Sequence, residues 1–86
     1  MDKETINTIK NTMLKDKPEV LKVIDGLSAA NDMIASKQSE SNDAGTRSII
    51  DEARYGIEDA IIGITYLSLD TVTEQERLLT ILKKGA

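Results

Sequence analysis

The sequence predicts an all-α protein, a small antiparallel up-down four-helix bundle, and three observations carry that prediction. Apolar residues recur at spacings of three and four along most of the chain, the signature of one-sided helices. Alternating β-type runs are missing, and a single proline interrupts the pattern. The 86 residues, 40% hydrophobic and 30% charged, have a globular composition with room for one thin core. Sequential helices on short linkers run antiparallel, so one helical domain over 1–86 follows.

The first helix is expected over about 3–14, with Asp2 as N-cap and Ile6, Ile9 and Met13 on one stripe. Asp16-Lys17-Pro18-Glu19 reads as a capping box opening a second helix over about 17–35. Proline fits that first turn because its missing N–H has no helical acceptor. Val20, Val23, Ile24, Leu27, Ala30 and Ile34 point toward the core. Residues 36–46, rich in serine, asparagine, aspartate and glycine, read as a polar loop.

The third helix, over about 47–67, is the longest. Its expected core arc is Ile49, Ala53, Ile57, Ala60, Ile64 and Leu67, widened by Ile50 and Ile61, with Ile57 and Ile64 as centres. Thr73-Glu74-Gln75-Glu76 reads as a second capping box, opening a last helix over about 73–84 with Leu78, Leu79 and Leu82 inward. Lys83 and Lys84 suit its C-terminal dipole, and Gly85 can terminate it.

Composition removes most chemistry. The chain has no histidine and no cysteine, hence no usual general base, no thiol and no common transition-metal ligand. A nucleophilic serine has no histidine partner, and no Ser-x-x-Lys occurs. No catalytic residue and no cofactor is expected. Asp51, Glu52, Glu58 and Asp59 fall outside the apolar arc and read as a solvated acidic face, so no metal site is expected. Ser41 to Gly45 lacks the alternating acids of a calcium loop.

The net charge is −4, and all of it falls on residues 39–86. An acidic half opposes a phosphate-backbone footprint, so no nucleic-acid partner is expected. Apolar runs are far shorter than a membrane span, and no signal-like segment begins the sequence. A cytoplasmic protein without membrane insertion is the expectation.

What remains is binding. Tyr55, Ile62 and Tyr66, with Asp59 between them, cluster opposite the expected arc, and the two tyrosines are the chain's two aromatic residues. Either helix one or helix four covers the tyrosines, or they form a partner face, including a homo-oligomer contact through helix 47–67. Arg47 and Arg54, near the helix start, are candidate anion contacts; alternatively they balance Asp51, Glu52 and Glu58 at helical spacing.

In order along the chain, Ile6-x-x-Ile9, then Lys15-Asp16-Lys17-Pro18-Glu19-Val20-Leu21-Lys22-Val23-Ile24, then Ile49-Ile50, then Thr73-Glu74-Gln75-Glu76-Arg77-Leu78-Leu79-Thr80-Ile81-Leu82 resemble the immunity proteins of pediocin-like bacteriocins. The resemblance spans most of the chain in layout. It implies a non-enzymatic, cytosolic four-helix bundle acting by protein–protein contact, at the inner side of a membrane permease complex, the mannose phosphotransferase. Family members are often basic and many extend beyond the fourth helix. This acidic chain would then place recognition on helix three, the last helix or the 36–46 loop. The alternative function is an oligomeric phage- or plasmid-type regulator or counter-defence protein that sequesters a host protein or a small anionic ligand.

Overall fold

The computed structural model describes residues 2–85 and places them in four α-helices. These are α1 (Lys3–Met13), α2 (Pro18–Glu40), α3 (Ala44–Ser68) and α4 (Val72–Gly85), with no strand among the described residues. Met1 and Ala86, the ends of the expected domain, lie outside them.

Cross-chain contacts give the topology. Lys10 pairs with Asp25 and Lys3 with Asp32, so α1 and α2 run antiparallel. Gln38 near the end of α2 meets Arg47, Asp51 and Arg54 near the start of α3. Gly85 at the end of α4 lies against Thr5 at the start of α1. Lys17 reaches Asp70 at 3.0 Å, tying the α1–α2 and α3–α4 turns together at one end. The arrangement is up-down-up-down, with α2 packed on α3 and α1 on α4.

Lengths differ sharply. At 1.5 Å per residue, α2 and α3 span roughly 35–38 Å, whereas α1 and α4 span about 16–21 Å. The α2–α3 hairpin therefore projects past the shorter pair, and the molecule measures 44 × 24 × 19 Å. The apolar core sits where all four helices overlap. Ile9, Leu14, Ile24, Ile61 and Leu78 are fully buried there, with Ile6, Met13 and Leu69 beside them.

Local signals explain most boundaries. The Asp2 carboxylate accepts the Thr5 amide at 2.8 Å, the expected cap of α1. Each expected capping box is displaced. Lys17 is the N-cap residue of α2 and makes no side-chain cap, so Asp16 does not serve; Pro18 removes an N–H that would need one. At α4 the cap is two residues early: the Glu74 amide donates to the Thr71 hydroxyl at 3.1 Å, and that hydroxyl donates to the Glu74 carboxylate at 3.3 Å. Gly85 ends α4 without a left-handed φ.

The expected loop 36–46 is mostly helix; only Ser41, Asn42 and Asp43 lie outside α2 and α3. Serine, lysine, glutamine and glutamate are polar but compatible with helix. Here the Ser39 hydroxyl bonds back to the Ser36 carbonyl, and Lys37 faces Glu40 at 3.6 Å. The helix break comes from Asp43, whose carboxylate accepts the Thr46 amide at 2.9 Å.

The core arc of α3 is turned by roughly one residue, about 100°, from the expected one. Ile61 is its buried centre, while Ile57 and Ile64 pack half-buried against the core. Ile49, Ala53 and Leu67 are exposed. Thr65 enters the core instead, because its hydroxyl donates to the Ile61 carbonyl at 2.7 Å and needs no other partner. Val23 and Leu79, expected inward, are also exposed. Replacing Ile61 with alanine is expected to cost about 2–5 kcal/mol, and Ile57→Ala clearly less. Urea denaturation of both variants checks the order.

Candidate functional site

Helix α3 turns its two faces to different surroundings. Its inner face combines Ile50, Ile57, Ile61 and Ile64 with Arg54, Thr65 and Ser68, all at least half buried. Its outer face carries Ile49, Ala53, Gly56, Ala60, Gly63 and Leu67 at alternating four- and three-residue steps, a straight seam along a helix. Ile49 is 70% exposed and Leu67 is 83% exposed, one at each end of this seam. At Gly56 and Gly63 nothing apart from the adjoining residues and backbone of α3 itself lies within 4 Å of where a Cβ would stand. The seam is a shallow trough with an isoleucine and a leucine at its ends.

Beside the trough lie Glu52 and Asp59, and beyond them the aromatic group. Tyr55 is 65% exposed and Tyr66 is 39% exposed; neither α1 nor α4 buries them. Asp59 is exposed and Ile62 half-buried. The outer surface of α3 thus joins two features: the tyrosine cluster singled out from the sequence, and the trough that periodicity had assigned to the core.

At the projecting tip no apolar cover is available, and a polar clasp replaces it. Gln38 is buried on α2; its amide donates to the Arg47 carbonyl at 3.1 Å and to the Asp51 carboxylate. Its carbonyl accepts from Arg54 Nη1 at 2.8 Å. Arg47 and Arg54 do not converge. Arg47 is exposed beside a hollow formed with Gln38, Ala44, Ser48 and Asp51, whereas Arg54 turns inward to a separate cleft. Sequence reading missed Gln38 altogether. The available signal was the seven-residue step from Ile24 to Asn31 and again to Gln38, which puts all three on the buried face of α2.

The tip is also sensitive to charge. The Thr46 hydroxyl, at 2.6 Å, and its amide donate to the Asp43 carboxylate and hold that carboxyl below the ordinary aspartate value. The Thr5 side chain and amide do the same for Asp2. No group of three or more potential ligating residues is arranged for a metal among the described residues. No helix among them is long and apolar enough to cross a membrane.

Neither a family profile, nor a curated protein, nor a solved structure matches this chain.

Two outcomes follow at the tip. Gln38→Ala leaves Arg54 and Asp51 without their shared partner and is expected to cost about 1–3 kcal/mol. Hydrogen exchange should place the loss of protection over residues 36–54 and leave the core helices protected. Because Asp43 has a lowered folded value, its charged cap stabilises α3 above the ordinary aspartate pKa. That contribution disappears as pH falls through the lowered value. Asp43→Asn, which keeps a capping acceptor but cannot titrate, is expected to flatten this acid limb in a pH series of thermal midpoints.

Proposed function

We propose that this chain is a non-catalytic binding module that captures a helix of another protein along the outer face of α3. The observation that carries the reading is the trough itself: an exposed isoleucine and leucine separated by two glycines with open space above them. Small residues let a second helix approach closely, and flanking large apolar groups supply the area to bury. Tyr55 and Tyr66, beyond the acidic pair on the same outer surface, offer rigid contact surface of the kind enriched at interfaces.

Charge selects the occupant. Glu52 and Asp59 run alongside the trough, so a second antiparallel copy of α3 would set this acidic row against itself. A foreign helix with basic flanking residues complements it. The two glycines support helix capture in general: each costs a helix interior about 1 kcal/mol relative to alanine, with no close contact from another part of the molecule to offset it.

Absence of histidine and cysteine supports the non-enzymatic part. The narrower version is an immunity or inhibitor protein, with the captured helix belonging to a permease complex on its cytosolic side. The four-helix layout supports it, and protection of a bacteriocin-sensitive strain by expression tests it; unchanged sensitivity removes that version.

The binding reading is tested by affinity capture from the native host with the intact chain. Gly56→Ala and Gly63→Ala are each expected to raise stability by about 0.5–1 kcal/mol. Gly56→Leu together with Gly63→Leu should fill the trough, leave circular dichroism unchanged and abolish capture of whatever protein the wild type retains. Equal capture by the filled variant overturns the proposal, as does a stable homodimer in sedimentation that the filled variant breaks.

A further inference from the structure

Helices α2 and α3 meet along matching seams. On α2 the inward positions are Val20, Ile24, Leu27, Asn31, Ile34 and Gln38. On α3 they are Ile50, Arg54, Ile57, Ile61, Ile64 and Ser68. Each set advances in alternating steps of four and three residues, and none of its members is exposed. That is the a/d pattern of a coiled coil, here an antiparallel hairpin joined by residues 41–43.

The two ends of the seam differ. At the base, Ile24 and Ile61 occupy a positions, and α1 and α4 complete a four-helix core around them. Toward the tip the a positions are polar: Asn31 and Gln38 on α2, and Arg54 on α3. The d positions there stay apolar, as Ile34, Ile50 and Ile57. The short helices do not reach this far. Helix α1 starts at Lys3, which pairs with Asp32, and α4 ends at Gly85 against Thr5. Gln38 lies six residues past Asp32, about 9 Å farther along α2.

Polar filling carries a cost here. Asn31 Oδ1 and Arg54 Nε are buried with no hydrogen-bond partner among the described residues. Buried polar atoms are nearly always paired, and hydrocarbon of similar volume often packs as well or better. What the polar a positions can set is the number of strands, since three residues between the helices already fix the register. In coiled coils, isoleucine at d with leucine at a favours three or four strands, whereas one polar a residue restricts the number at some loss of stability. At the base α1 and α4 are the third and fourth strands. At the tip only a second copy could supply them. We infer that Asn31, Gln38 and Arg54 form a polar layer that keeps this protein monomeric by denying the tip of the α2–α3 hairpin to a second copy. Gln38 leads, because its hydrogen bonds to the Arg47 carbonyl, Asp51 and Arg54 all stay within one hairpin. The layer lies on the inner face of α3 and does not depend on the trough.

The test is sedimentation and thermal denaturation of the full chain and of a triple variant, Asn31→Leu, Gln38→Leu and Arg54→Met. Unlike Gln38→Ala, this set removes the arginine together with its partner. The wild type should sediment as a monomer up to about 0.1 mM. The triple variant should melt about 5 °C or more above it and self-associate with a dissociation constant of about 10 µM or tighter. Hydrogen-exchange protection gained on association should fall over residues 31–54. Restoring Gln38 in that background should weaken association by about 10-fold or more. Asn31→Leu alone should raise the midpoint. Self-association of the wild type at this concentration overturns the inference, as does a triple variant that stays monomeric or melts below the wild type. Undiminished association after Gln38 is restored, or protection gained on the outer face of α3 instead of the tip, overturns it equally.

Discussion

Four helices of unequal length share one core, and most of the structure follows from that mismatch. Where all four overlap, Ile9, Ile24, Ile61 and Leu78 close on one another and exclude water. Beyond the reach of α1 and α4, the α2–α3 hairpin has only itself to pack against. The buried face of α2 runs from Ile24 through Asn31 to Gln38, from hydrocarbon in the shared core to carboxamide toward the tip. Gln38 then holds the tip with directed hydrogen bonds where burial is not available.

The same constraint sets where the molecule is open. Helix α3 is covered on one side only, by α2 along its length and by the core at its C-terminal half. Its other side keeps an apolar trough and two tyrosines in solvent. Between α1 and α2 the closure is by ion pairs across a cleft, and polar atoms stay unpaired at its floor.

Legibility in the sequence differed by element. Helix α1 was readable to within one residue, because Asp2 caps it locally and Ile6, Ile9 and Met13 form its apolar stripe; Leu14, expected as its last residue, is the C-cap. Helix α3 was not, because isoleucines, alanines and glycines on several faces give more than one acceptable arc. Reading by hydrophobicity placed Leu67 inside and left Thr65 out of account; the fold exposes Leu67 and buries Thr65, since a threonine satisfied by its own helix is cheap to bury. Polar composition likewise suggested a loop at 36–46, whereas a buried glutamine and a pair of serine and lysine contacts continue the helix there. Of the candidate site, the tyrosine cluster was legible while its exposure was left open, and the trough was not legible because periodicity placed Ile49 and Leu67 in the core.

By itself the sequence determined the class: four amphipathic helices and their order, built from an inventory without histidine or cysteine. These properties depend on local periodicity, capping chemistry and composition. Only the tertiary structure decided which arc of α3 faces inward, that Arg54 and Arg47 open onto different hollows, and that Ser28, Asn31 and Arg54 meet in one cleft. Those outcomes depend on the relative lengths and rotations of packed helices, which no single helix encodes.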